Sequence, residues 1–371
     1  MDVDSSPMEM ERNEAFVKKS VVLEVSADVK CVLVVAALSF TIACSSILKP
    51  EKEDDIKLNS DLDKKVKIED VQVQPLPTSG SAPQKPPPPL LSPEKPKKKA
   101  SKTKVKSAES PSESVETSTP SIEDTEGFKG RRPLHDPFRI GEKITHEVYY
   151  NYFRFTAGYM TFSTLPFVQV NGRKAYQFTI DLKSASLFNS IYTVEDRVVT
   201  LVDYEHWLPR LYTLHVKESG QLREGRSYFD FQSLRARYEE KKVSKKKGAE
   251  QKNQEWEILP YSQNVFSVIY YMRLFAWRDG KEYAFRVADD GENLVFKGRV
   301  VERELLKTDI GPIKAIKIKP EITVKGAFKP VGDIYIWLSD DERKLPLRIE
   351  SKIKIGTIVS EITDYQPGNS N

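Results

Sequence analysis

The chain has 371 residues, 39% of them hydrophobic and 30% charged, with 58 basic against 54 acidic side chains and a formal net charge of +4. So slight a basic excess gives no ground for a nucleic-acid partner. Its two cysteines, Cys31 and Cys44, both lie near the start, which leaves no disulfide framework and no thiolate metal site for the remainder.

The first informative element is the apolar run closing on Ala43 and Cys44. A run of about a dozen apolar residues suits the core of an export signal and falls short of the roughly 20 needed to span a bilayer. Compact Ala43 before the cysteine completes the lipoprotein pattern: cleavage follows Ala43, and the thiol of Cys44 carries the lipid. Thr41 stands where that pattern usually has leucine. Upstream, Asp2, Asp4, Glu9, Glu11 and Glu14 precede Lys18 and Lys19, an acidic start unlike an ordinary signal. Translation beginning near Val29 would instead give a compact signal opening on Lys30. Residues 1–44 are therefore read as a signal region, with an uncleaved inner-membrane anchor as the alternative. Ser45 rather than Asp follows the cysteine, so the expected address is the outer membrane, facing the periplasm.

Residues 45–130 read as a disordered tether. They hold four consecutive prolines at 86–89, the basic run from Lys95 through Lys99 to Lys102, Lys104 and Lys106, and an acidic Ser/Thr/Glu stretch from Glu109 to Glu126. Such composition buries too little apolar surface to offset chain entropy. About 85 flexible residues reach on the order of 50 Å, and roughly 280 Å when stretched. The basic run is expected either to contact anionic cell-wall polymer or lipid headgroups, or to be only a solvated spacer.

Within 131–371 the grammar changes to period-two alternation rich in β-branched and aromatic residues. Strands are expected over 147–155, 158–163, 175–184, 193–202, 210–217, 225–231, 234–241, 255–259, 283–288, 293–304, 314–320, 331–338, 346–355 and 357–364. Asn171-Gly172 and Asp290-Gly291 suit tight hairpin turns; Gly298 and Gly311-Pro312 read as punctuation. The lysine-rich 241–248 reads as a long exposed hairpin loop. One helix is expected over 262–275, where Val265, Phe266, Ile269, Tyr270 and Arg273 fall at helical offsets. Many strands with one short helix predict an all-β domain: a large curved antiparallel sheet forming an open or incomplete barrel, which the helix plugs or flanks. An internal echo links 202–212 and 338–349, each an acidic turn followed by Leu-Pro and a new strand. Proline at a strand's first residue loses no ladder bond.

Several motifs occur together: Gly141-Glu-Lys, Phe155-Thr-Ala-Gly158, Val194-Glu-Asp-Arg-Val198, Tyr228-Phe-Asp230, Asn264 through Arg273, Trp337-Leu-Ser-Asp-Asp341, and Leu345-Pro-Leu-Arg-Ile-Glu350 running into Ile355-Gly356. In this order, over roughly 138–365, the chain resembles the bacterial domain of unknown function numbered 3108. That resemblance implies an exported, β-rich envelope protein without an established activity. The curved-sheet pattern and Leu-Pro turns are also similar to lipoprotein carriers, whose incomplete barrels hold acyl chains, a likeness of fold alone.

Candidate chemistry is sparse. His135, His146, His206 and His215 show no metal-ligand spacing, so no metal is expected. No nucleophile elbow or phosphate loop appears, and no cofactor is expected. Asp340, Asp341 and Glu342 form the densest carboxylate cluster; an acidic turn is the plainer reading, as it is for Asp289 and Asp290. Of Glu195, Asp196 and Arg197, one charge is expected to point inward, and a buried Arg197 would need a carboxylate partner. Rings cluster at Tyr149, Tyr150, Tyr152, Phe153 and Phe155. Core packing accounts for them, or else one face lines an apolar cavity, with Tyr149, Phe153, Phe155, Tyr159 and Tyr270 facing a ligand. The expected function is a non-enzymatic envelope lipoprotein binding a lipid, an acyl chain or an envelope partner. The alternatives are a hydrolase or transferase using Asp340 and Asp341 on cell-wall glycan or lipopolysaccharide, and a scaffold that pairs through a sheet edge.

Overall fold

The alternating runs become strands of one antiparallel sheet. The computed structural model describes residues 66–70, 136–152, 154–190, 192–245, 247–324, 327–329, 334–353 and 356–369. The sixteen strands are β1 (Ile68–Asp70), β2 (Glu142–Tyr150), β3 (Phe155–Val170), β4 (Arg173–Ser184), β5 (Val194–Asp203), β6 (Pro209–Glu218), β7 (Gln221–Asp230), β8 (Arg235–Ser244), β9 (Gly248–Glu257), β10 (Glu282–Asp289), β11 (Glu292–Thr308), β12 (Gly311–Val324), β13 (Ala327–Lys329), β14 (Ile334–Ser339), β15 (Pro346–Ile353) and β16 (Gly356–Pro367). Hydrogen bonding orders them β10-β11-β12-β14-β15-β16-β2-β3-β4-β5-β6-β7-β8-β9, with β1 added to β3 and β13 to β12. The ends of this path, β9 and β10, do not pair, so the sheet is not closed into a barrel.

Side chains and one bridge cross the gap. Asn293 donates from Nδ2 to the Glu257 carbonyl at 2.9 Å and accepts from Leu259 N–H at 3.3 Å. Lys252 pairs with Asp290, and Gln263 forms a parallel bridge to Val287. The segment after β9 thus crosses to β10 and leads into the interior.

Among the described residues two short helices are present where one was expected: α1 (Ser186–Asn189) and α2 (Val268–Met272). α2 is shorter than the apolar offsets suggested because Asn264 arrests the chain ahead of it. Its Oδ1 accepts from the backbone of Phe266 and Ser267 at 2.9 and 2.7 Å, while Nδ2 donates to Thr200 at 2.9 Å. Around α2 the core is dense. Tyr270 stacks on Phe178 with ring centroids 4.1 Å apart, and Phe275 lies parallel to Phe285 at 5.8 Å. Burying each such ring contributes roughly 1.5–3 kcal/mol.

Several local expectations are corrected. The ring-rich run 147–155 is not one strand: β2 ends at Tyr150 and the chain turns before β3, with Arg154 at φ 44°. Tyr149 and Tyr150 are consecutive residues of β2 and point to opposite faces, while Tyr152 lies in the turn and Phe155 opens β3. Gly298 is no turn either; it lies inside β11, where an added Cβ would meet the Trp277 ring at 2.9 Å. The sequence 241–248 forms a tight hairpin between Ser244 and Gly248, not a long loop. β12 runs on through Pro320, which falls between the register with β14, ending at Ile318, and that with β13, starting at Ile322. Proline is tolerated where no ladder partner is needed. Within the stretch read as a tether, Ile68–Asp70 pairs with Val168–Val170 of β3.

The echo of Leu-Pro turns is structural. Asp203 N–H bonds to the Leu208 carbonyl and Ser339 N–H to the Leu345 carbonyl, each at 2.9 Å. Trp207 and Lys344, each preceding Leu-Pro, take φ of 56° and 46°. β6 and β15 both open on the proline.

Candidate functional site at one rim of the sheet

The predicted ligand-facing residues do not converge. Tyr270 is core, its hydroxyl donating to the Thr179 carbonyl at 2.8 Å. Tyr149 is also buried; its hydroxyl donates to Glu361 at 2.8 Å, and burial followed by that carboxylate raises its pKa to about 12. Neither ring is free to line a cavity. Phe155 and Tyr159 are exposed, while Phe153, Ala43 and Cys44 lie outside the described residues.

The interior beneath α2 is filled by the protein's own rings, and its polar groups are matched. Arg273 donates to Glu142 at 2.6 Å, with Arg343 on the same carboxylate. His146 is fully buried between Ser360 Oγ at 3.0 Å and the Pro346 carbonyl at 2.9 Å; burial lowers its pKa to about 4. Toward the hairpins of β5–β9 the interior turns polar. Arg223 bonds to Glu240 at 2.5 Å and to the Tyr238 hydroxyl at 2.9 Å. Asp289 is buried beside these charges with both carboxylate oxygens lacking a hydrogen-bond partner among the described residues. Burial, then the Asp290 charge, raises its pKa to about 7. Asp196 is likewise raised to about 7 by burial and by Glu218. Asp196, not Arg197, is the inward charge of its triplet; Arg197 lies outside, 3.3 Å from Asp181.

The outer face of the middle strands is a charge ladder: Lys183 to Glu195 at 3.7 Å, Glu195 to Lys217 at 3.9 Å, His215 to Glu224, and Arg237 to Glu239 at 2.9 Å. A membrane-spanning barrel carries an apolar band there instead. Among the described residues no helix is long and apolar enough to cross a membrane, and no group of His, Cys, Asp or Glu is arranged to hold a metal ion. The acidic cluster serves its turn. Asp341 accepts from Ser339 Oγ at 2.6 Å and from the N–H groups of Arg343 and Lys344 at 3.0 Å, while Asp340 pairs with Arg303 at 2.6 Å.

What remains is one rim, formed by the β2–β3, β4–β5, β6–β7 and β8–β9 turns. Tyr152 and Leu187 are 78% and 77% exposed, and Phe155 is 40% exposed. Phe155 lies against Phe188 of α1 at 6.0 Å between centroids, which joins the two apolar turns into one patch. Exposed Arg154, Lys245 and Lys247 stand on the same rim. No signal in the alternation pattern marks Leu187; its four-residue helix is too short to show a period.

Solved structures match the chain at low identity. A β-barrel-like protein with the domain of unknown function DUF1849, from Brucella abortus, is 10% identical with a TM-score of 0.41, over 62% of this chain and 99% of that one. A protein described as exported, with a YmcC-like fold, from Bacteroides fragilis is 9% identical with a TM-score of 0.29, over 62% and 97%. One described as a lipoprotein, from Parabacteroides distasonis, is 9% identical with a TM-score of 0.27, over 64% and 98%. No curated protein matches the chain. The family model for proteins of unknown function DUF3108 matches residues 145–363, and the chain belongs to that family.

Proposed function

We propose that the protein is a non-catalytic lipoprotein of the bacterial envelope, anchored to the outer membrane through Cys44, whose β domain binds an anionic lipid at the Tyr152–Phe155–Leu187 rim. The observation that carries this reading is the exposure of three large apolar side chains on two adjoining turns, with Arg154, Lys245 and Lys247 on the same rim. Aromatic and leucine side chains beside lysine and arginine suit a lipid interface, where the apolar groups enter the acyl boundary and each cation contributes about 1 kcal/mol near an anionic surface. Acyl chains are taken at the rim in this reading, because the interior is already filled by α2. The hydrolase alternative loses support because Asp340 and Asp341 are committed to their turn.

The test is flotation of the full chain carrying Cys44→Ser with phosphatidylglycerol vesicles. Binding that weakens with salt and disappears in Tyr152→Ser/Phe155→Ser/Leu187→Ser supports the reading. Equal flotation of that variant would overturn it.

A further inference from the structure

β9 and β10 are the two ends of the sheet path, and no ladder joins them. Toward the rim, side chains of β9 make the crossing contacts. Lys252 pairs with Asp290, and Gln254 donates from Nε2 to the Asp290 carbonyl at 3.4 Å. Gln254 also lies against Gly291, where an added Cβ would collide with its amide. The Asp290-Gly291 turn of the β10–β11 hairpin therefore rests on β9 through these two side chains.

Behind this seam the interior carries a row of polar side chains. The register sets Thr200 beside Tyr212, Tyr212 beside Ser227, Ser227 beside Tyr238 and Tyr238 beside Gln254. Tyr212 and Tyr238 are core residues, so the row faces inward. Trp256 follows Gln254 by two positions and shares that face. On β10, Asp289 shares its face with Phe285 and Val287, both in the interior core.

Matching charges in this region leaves one group over. Arg223 is paired with Glu240 at 2.5 Å, and Lys252 with Asp290. Asp289 is 2% exposed, and neither of its carboxylate oxygens has a hydrogen-bond partner among the described residues. Gln254 Oε1 and Trp256 Nε1 are buried and unmatched in the same sense. Native folds rarely keep such groups unless a ligand or an ordered water completes them. The set consists of three acceptor oxygens, two of them sharing a negative charge, and one N–H donor. A primary ammonium brings three N–H donors and a compensating positive charge. A hydroxyl on the same molecule accepts from Trp256. Tyr212 packs on Phe266 at 4.9 Å and on Tyr238 at 6.3 Å, which closes the region behind and restricts it to a small molecule.

We infer that the space between β7–β9 and the β10–β11 turn binds a small hydroxylated primary amine, with Asp289 and Gln254 holding the ammonium and Trp256 the hydroxyl. Entry is through the β9–β10 seam. It requires the Lys252 and Gln254 contacts to Asp290 to part and breaks no strand pairing. The site is distinct from the rim formed by Tyr152, Phe155 and Leu187, and it takes a polar molecule where the rim takes an acyl boundary.

The test is calorimetric titration of the full chain carrying Cys44→Ser with ethanolamine, ethylamine and ethylene glycol. Ethanolamine should bind saturably, ethylamine several-fold more weakly, and ethylene glycol not at all. Asp289→Asn keeps the shape of the side chain and should weaken ethanolamine about tenfold or more, as loss of a buried charge partner does. Trp256→Phe should erase the preference for ethanolamine over ethylamine. The Tyr152→Ser/Phe155→Ser/Leu187→Ser chain should bind ethanolamine as the parent does, so failure of the rim reading leaves this one standing. No saturable binding of ethanolamine, or equal binding by Asp289→Asn, would overturn the inference and make water the partner of Asp289. Ethylene glycol binding as tightly as ethanolamine would overturn the role given to the ammonium.

Discussion

Arg273 Nη1 donates to Glu142 Oε1 at 2.6 Å, with both side chains at most 2% exposed, and so fastens the segment after α2 to the first residue of β2. The guanidinium also reaches the Pro137 and Arg343 carbonyls, each at 3.0 Å, and lies 4.6 Å from the Phe138 ring centroid. Arg343 is a second cation on the same carboxylate. Removing one partner of a buried ionic group leaves the others desolvated and uncompensated, at a cost of about 3–5 kcal/mol. Glu142→Gln should lower unfolding free energy by that amount in urea titrations; a change below about 1 kcal/mol would show the pair to be dispensable.

Buried titratable groups set a pH dependence of opposite sign on two sides. His146, lowered to about 4, stays neutral in the folded protein while the unfolded chain takes up a proton near its ordinary value of 6.5. Its contribution therefore destabilises progressively as pH falls from about 6.5 toward 4. Asp289 and Asp196, raised to about 7 from 3.8, bind protons in the folded state that the unfolded chain has released. Stability from them is lost as pH rises from about 4 through 7. Asp289→Asn should accordingly gain on the parent as pH increases from 5 to 8, by an order of a few kcal/mol. Equal differences at both pH values would rule out the raised carboxyl.

Strand existence was legible because alternation on a half-buried sheet repeats every second residue, and most runs from 175 onward became β4–β16. The Leu-Pro echo was legible for the same reason: proline at a strand start has one geometry. What escaped was set by partners distant in sequence. Tyr270 reads the same on a helix whether it meets a ligand or Phe178, and only the fold decides. Gly298 reads as a turn until Trp277 is placed over it. β1 went unread because its strand is only three residues long and the pocket that buries Val66 comes from β3–β6.

Gly158 supplies a close approach of β3 to β4. An added Cβ there would collide with the Lys183 carbonyl oxygen, a backbone atom that cannot turn aside. Gly158→Ala should cost about 1–3 kcal/mol through forced backbone shift. Thermal unfolding of the variant checks this, and an unchanged midpoint would contradict the contact.

Asp341 acts as the cap of the β14–β15 turn through the Arg343 and Lys344 N–H groups. Asp341→Ala should destabilise by about 1 kcal/mol, as loss of comparable side-chain caps does, and should leave vesicle flotation unchanged. A loss of flotation without a loss of stability would move the functional site to that turn.

Hydrogen–deuterium exchange of the full Cys44→Ser chain with and without phosphatidylglycerol vesicles separates a surface encounter from an internal one. Slowed exchange confined to peptides around Tyr152, Phe155 and Leu187, with α2 unaltered, is the outcome expected of rim binding. Protection or opening centred on Val268–Met272 would mean that lipid enters the interior, and the account given for this domain would be wrong.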